Sequence, residues 1–161
     1  MLIRHASAVL TGRAADDGAR SAASDLRIGS DGLIREMGRG LRPEPGEPVL
    51  DATDCVVYPG WVNTHHHLFQ SLLKGIPAGI NLALVPWLSA VPMRYRRCFD
   101  HQAALRLAAR IGLVELALSG CSTVADHQYH DGAGLPFDAS AVVFDEADKL
   151  GLRFVLCCGG Q

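Results

Sequence analysis

The sequence predicts an α/β protein in which a small antiparallel β module, residues 1–58, precedes parallel strand–helix units, residues 59–161. Three observations carry this. Short apolar runs broken by Gly, Pro, Asp and Ser fill the first part. The hydrophobic period changes after Pro59. Beyond it the runs read strand, helix, strand, helix, strand, an order that needs parallel pairing through crossover helices.

LIRHASAVL, residues 2–10, reads as the first strand. Residues 13–24 are small and polar and read as a loop. DLRIG and LIREMG flank Ser30-Asp31-Gly32, a turn signal between alternating segments, which predicts a hairpin. RPEPGEP, residues 42–48, is a Pro/Gly linker, because each proline removes a donor and restricts its predecessor. VLDATDCVVYPG closes the module. VVYPGWVNTHHH reads as a buried strand that reaches a loop. Residues 101–119 form the best helix, with Leu107, Ile111, Val114 and Leu118 on one face, Asp100 as N-cap and Gly120 just past its end. CSTVAD is the next strand. Residues 140–150 form a second helix with Val143, Ala147 and Leu150 on one face and Gly151 closing it, and LRFVLCC is the third strand. A full (β/α)8 barrel takes about 250 residues, so three such units read as the front part of something larger.

Composition narrows the function. With 15 Lys plus Arg against 17 Asp plus Glu, the formal charge is −2. A non-specific nucleic-acid binder needs a basic excess, and an acidic disordered tail a larger imbalance. The 48% hydrophobic and 20% charged content is that of a globular chain. No apolar run approaches the ~18 residues of a membrane span, and Arg4 and His5 interrupt any signal-peptide core. A soluble, cytoplasmic protein is the expectation. The five cysteines, 55, 98, 121, 157 and 158, are odd in number and lack CxxC spacing. They read as buried inert thiols rather than disulfides or zinc ligands.

The chemistry concentrates in Asn63-Thr64-His65-His66-His67 at a strand end. Side chains alternate along a strand, so His65 and His67 share a face and His66 takes the other. Two neutral imidazoles at that spacing can clamp one divalent metal. The bland alternative is a run of loop histidines with adventitious metal affinity.

YPGWVNTHHHLFQ, residues 58–70, resembles the PGxxDxHxH signature of the amidohydrolase superfamily, and SGCSTVADH, residues 119–127, resembles its second barrel strand. Within the superfamily the resemblance is to the cytosine/guanine-deaminase and triazine-hydrolase branch. More narrowly the chain is similar to 8-oxoguanine and isoxanthopterin deaminases, which share the HHHLFQ and PWL segments. It extends over essentially the whole chain and implies the N-terminal part of a metal-dependent (β/α)8 TIM barrel, preceded by half of a composite β-sandwich.

The resemblance implies that His65 and His67 are the first two ligands of a divalent metal, zinc foremost and iron the alternative. It implies that Gln70 contacts a bound heterocycle, since an amide offers both donor and acceptor. A solvated, loop-capping role is the alternative for Gln70. Trp87, in a long loop after the first strand, and His127, at the end of the second, are further substrate-side candidates. Plain packing is as good a reading for Trp87, and a structural histidine a better one for His127. His5, His101, His130 and Asp131 receive no role, and Asp126 points away from His127. Asn63 stands where many members carry Asp, which costs the site a charged outer partner. No catalytic residue proper can be placed, because the remaining ligands and the proton-shuttling Glu match nothing here.

The implied reaction is hydrolytic deamination of a purine- or pterin-like N-heterocycle. A metal lowers the pKa of water toward ~7, hydroxide attacks a ring carbon bearing an amino group, and a carboxylate carries the proton to the leaving ammonia. The rivals are a triazine-type hydrolase and an inactive remnant or binding module. The expected partner is a small heterocycle, with no nucleic acid or membrane. Homo-oligomerisation is implied by the resemblance alone.

Overall fold

The computed structural model describes residues 1–13, 20–130 and 134–158. They form two compact units, Met1–Pro59 and Gly60–Gln161. Among the described residues no helix is long and apolar enough to cross a membrane.

The first unit holds two sheets. β1 (Leu2–Arg4), β4 (Asp25–Ile28), β5 (Ile34–Gly38) and β6 (Val49–Asp51) form one, in the order β5-β4-β1-β6. β2 (Ala8–Leu10), β3 (Arg20–Ser21) and β7 (Val56–Val57) form the other, in the order β3-β2-β7. The hairpin around Ser30-Asp31-Gly32 is present, with β4 and β5 antiparallel. The unit is nevertheless mixed and not antiparallel throughout, because β1 pairs β6 and β2 pairs β7 in parallel. The cause is local. His5 takes a left-handed φ of 64° and splits the 2–10 run into two strands that enter different sheets. The long intervening chain then lets residues 49–57 return beside both in the same direction, as a parallel pair requires. The loop expected over residues 13–24 contains β3. Its residues 14–19 lie outside the described residues.

The second unit carries a three-stranded parallel sheet, β10-β9-β8, made of β8 (Trp61–His66), β9 (Cys121–Gln128) and β10 (Arg153–Cys158). The chain between β8 and β9, expected as loop up to residue 100, is largely helical. It comprises 3-10 turns at Leu68–Leu73, Pro77–Gly79 and Arg96–Phe99, and short helices α1 (Leu84–Ala90) and α2 (Pro92–Tyr95). α3 (Gln102–Leu118) and α4 (Ala139–Lys149) are the crossovers.

α3 buries Leu105, Ala108, Ala109, Gly112 and Leu113, while Leu107 and Leu118 are exposed. The buried stripe is therefore not the one through Leu107, Ile111, Val114 and Leu118. Small residues mark the side that approaches its neighbours most closely. Asp100 is not the N-cap. Its φ and ψ are helical, whereas His101 is extended and takes the cap position without a side-chain bond. Gly120, at φ 84°, ends the helix as expected. α4 has a true cap, Asp138, whose side chain accepts from the Ala141 N–H at 3.0 Å. Val143 and Ala147 are buried on α4, but Leu150 lies beyond its last turn and is exposed.

The core of this unit joins Leu68, Phe69, Phe99, Leu105, Leu113, Val124, Val142 and Val143. β8, expected to be buried, is mostly exposed, and among the described residues it is an edge strand of its sheet. The thiols also depart from expectation. Cys121 is buried and Cys157 half-buried, but Cys55, Cys98 and Cys158 are exposed.

Candidate metal centre

β8 ends at His66, and His67 leaves the strand at φ −136° and ψ 87° to begin the turn Leu68–Leu73. The Nε2 atoms of His65 and His67 approach to 3.2 Å, with ring planes at 89°. Two nitrogens bound tetrahedrally at ~2.05 Å would stand about 3.3 Å apart. The pair thus has the spacing of two ligands on one divalent ion. The His67 ring is also held in the tautomer such a site needs. Its Nδ1–H donates to the His127 carbonyl at 2.7 Å, which leaves the lone pair on Nε2, toward His65. Burial, against the opposing bond to the His127 carbonyl and with the neighbouring His65 and His127 rings, holds its pKa below the ordinary imidazole range, so the ring is neutral at neutral pH. Among the described residues no group of three His, Cys, Asp or Glu side chains is placed to share one ion.

Asn63 serves His65 locally, its Oδ1 accepting from the His65 N–H at 3.0 Å. An amide there replaces a charged partner with a backbone brace. His66 takes no part in the His65–His67 approach. Its Nε2 is buried without a hydrogen bond among the described residues, and burial, then the nearby Lys74 charge, lower its pKa.

The remaining sequence candidates lie around this pair. Gln70 sits in the turn Leu68–Leu73 and donates through Nε2 to the Tyr129 hydroxyl. Trp87 lies in α1. Gln70, Trp87 and all three histidines line a cavity of ≈ 350 Å³. His67, Gln70 and Trp87 also line a more apolar one of ≈ 440 Å³ with Leu88, Met93 and Tyr129. Predominantly apolar walls with a few placed polar groups are the usual lining of small-molecule sites. His127 lines neither cavity. It stacks on His65 at 4.2 Å between centroids, with Nε2 3.3 Å from the Thr64 carbonyl oxygen.

Two residues at the site received no role from the sequence. Tyr129 packs edge-on against His67 at 5.2 Å, and burial raises its pKa. Strand alternation from His127 would have found it had the extended run been followed two residues further. Asp126 is fully buried, and burial pushes its carboxyl up to about 6. It points away from His127's face, as alternation requires, and accepts from the Leu68 N–H at 2.7 Å.

Comparison with known proteins places this geometry in context. The chain is 60% identical over 161 residues to an isoxanthopterin deaminase from an unknown prokaryotic organism, covering 99% of this chain and 33% of that protein. It is 36% identical over 162 residues to an 8-oxoguanine deaminase of Pseudomonas aeruginosa, covering 99% and 34%. It resembles the crystal structure of a mutant atrazine chlorohydrolase from Arthrobacter aurescens, complexed with zinc and atraton, with a TM-score of 0.83 at 27% identity, over 96% of this chain and 34% of that one. The chain thus spans about a third of the length of the curated relatives it matches. Residues 56–159 match the amidohydrolase family model, and with relatives aligned along nearly the whole sequence, the chain belongs to the amidohydrolase family.

Proposed function

We propose that this chain is the part of a hydrolytic deaminase that begins its metal centre and supplies one wall of its ring pocket. The substrate class is a purine- or pterin-like N-heterocycle of the isoxanthopterin or 8-oxoguanine type. The 3.2 Å approach of His65 and His67 carries the reading. The sheet β10-β9-β8 with its crossovers fits the first three units of a (β/α)8 barrel, with residues 1–58 as the preceding module. A divalent ion, zinc by likeness to the zinc-complexed relative, would be held by His65 and His67 and would lower the pKa of water at the site.

The chain's own residues then have definite tasks. The His127 carbonyl keeps the proton of His67 on Nδ1. Asn63 braces the backbone of His65. Tyr129 holds Gln70 at the cavity wall, where its amide can meet the donor and acceptor edge of a lactam or amidine. Trp87 and Leu88 present an apolar face to the ring and exclude water from it.

A chimera tests this. The chain replaces the matching third of the isoxanthopterin deaminase relative, and ammonia release from isoxanthopterin is followed. Retained turnover that His67→Ala abolishes is the expected result. A chimera that binds zinc but releases no ammonia would shift the reading to the triazine-type reaction, tested by displacement of chloride or alkylamine from a triazine.

A further inference from the structure

We propose that Asp126 is a positioning residue that aims His67, acting through the Leu68 backbone. This rests on the reading of His65 and His67 as metal ligands. Two consecutive residues of β9 grip two consecutive residues beyond β8. The Asp126 carboxylate accepts the Leu68 N–H at 2.7 Å, and the His127 carbonyl accepts the His67 Nδ1–H at 2.7 Å. One bond sets the ring, and the other sets the backbone that carries it.

The strand ladder cannot do this. The β8–β9 register shifts between Asn63 and His66, pairing resumes at His66 with Asp126 and stops there, and His67 and Leu68 lie outside the strand. Where regular pairing lapses, a side-chain acceptor has taken the place of a ladder carbonyl. A carboxylate is a costly choice for a site with no exposure, and among the described residues its Oδ2 has no hydrogen-bond partner. A charged acceptor makes the shorter and stronger bond to an N–H, and the residue it fixes is the neighbour of a ligand. Outer partners of this kind tune metal affinity even though they do not touch the metal.

The test compares Asp126→Asn, which keeps an acceptor oxygen, with Asp126→Leu, which keeps the volume and loses the acceptor. Two readouts on the full chain separate aiming from mere packing. The ring ¹⁵N shifts of His67, taken without metal, report whether the proton stays on Nδ1. Titration with Co²⁺, followed by its visible absorption, reports affinity. We expect Asp126→Asn to keep the Nδ1–H tautomer and the cobalt affinity. Asp126→Leu should show mixed tautomers and bind cobalt about 10–100-fold more weakly. A leucine variant that stays folded with His67 locked as in the wild type overturns the proposal.

If the leucine variant does not fold, hydrogen exchange decides. A Leu68 amide exchanging as fast as exposed neighbours in the wild type overturns the proposal, and slow exchange preserved in the asparagine variant supports it. His67→Ala is the separate control for the metal reading. Unchanged cobalt binding there sinks that reading and leaves the tautomer result to judge Asp126.

Discussion

Gly112 shows how closely single residues are specified around the site. A Cβ built on it would lie 2.3 Å from Ser71 Oγ and 2.9 Å from Leu68 Cδ2, and Leu68 is fully buried beside His67. Ser71 can rotate away, but Leu68 has nowhere to go. Gly112→Ala should therefore destabilise the chain by about 1–3 kcal/mol through overpacking, despite alanine's better helix propensity. Thermal melts check this, and an unchanged or raised Tm contradicts it. At the histidines, His65→Ala and His67→Ala should each release zinc on dialysis while His66→Ala retains it, as metal analysis can show. Equal losses would mean that strand alternation does not sort the three. The histidine pair was legible because period-two alternation is a property of the backbone itself. Asp126 and Tyr129 were not, since nothing in a lone Asp or Tyr tells whether the fold will bury it against a distant turn.

α3 and α4 are held together by a buried carboxylate. Glu146 is 1% exposed and pairs with Arg106, Arg110 and Lys149. The Arg110 bond, with those of Arg106 and Lys149, holds its pKa down at about 2 against the opposing effect of burial. The folded value lies below the ordinary 4.5. Its contribution is therefore complete above about pH 4.5 and drains as pH falls toward 2. Glu146→Gln should flatten the stability profile in that window and cost about 1–3 kcal/mol at neutral pH, as denaturant melts across pH can measure. The two arginines keep hydration at 30% and 52% exposure, so the loss stays modest.

The existence of both helices was readable from their apolar spacing and their terminal glycines. The buried stripe of α3 was not. Bulk apolar residues make the stronger periodic signal, but close packing against Ser71 and Leu68 selects Gly and Ala. Parallel pairing in the first unit was equally hidden, because it depends on which distant segment returns beside β1 and β2. Local pattern carries no such information.

At the scale of the whole chain, the parallel sheet has β8 and β10 as its edges, with Val62 and Val155 exposed at 62% and 54%. Open edges of this kind recruit further strands. The 161-residue chain on its own should self-associate, and a sharp monomer boundary in analytical ultracentrifugation would contradict this. Among the described residues no three His, Cys, Asp or Glu side chains are placed to share one ion, so the proposed pair His65 and His67 would fall short of the three protein ligands of a catalytic zinc site. The chain alone should therefore release ammonia from isoxanthopterin no faster than its His65→Ala variant does.

The bond from His67 to the His127 carbonyl spans 60 residues of chain. Closing so long a loop is entropically unfavourable, and the ring cannot be aimed until α3 has packed and β9 has paired with β8. The affinity of an ion held by His65 and His67, as proposed, would consequently gauge tertiary closure. Whatever opens the crossover between those strands would loosen such an ion, and the ion would resist that opening by mass action, to the extent of RT ln(1 + [L]/Kd). A chelator should then lower the melting temperature of the zinc-loaded chain. Metal supply would act on this chain as a folding ligand before it acts as a reagent.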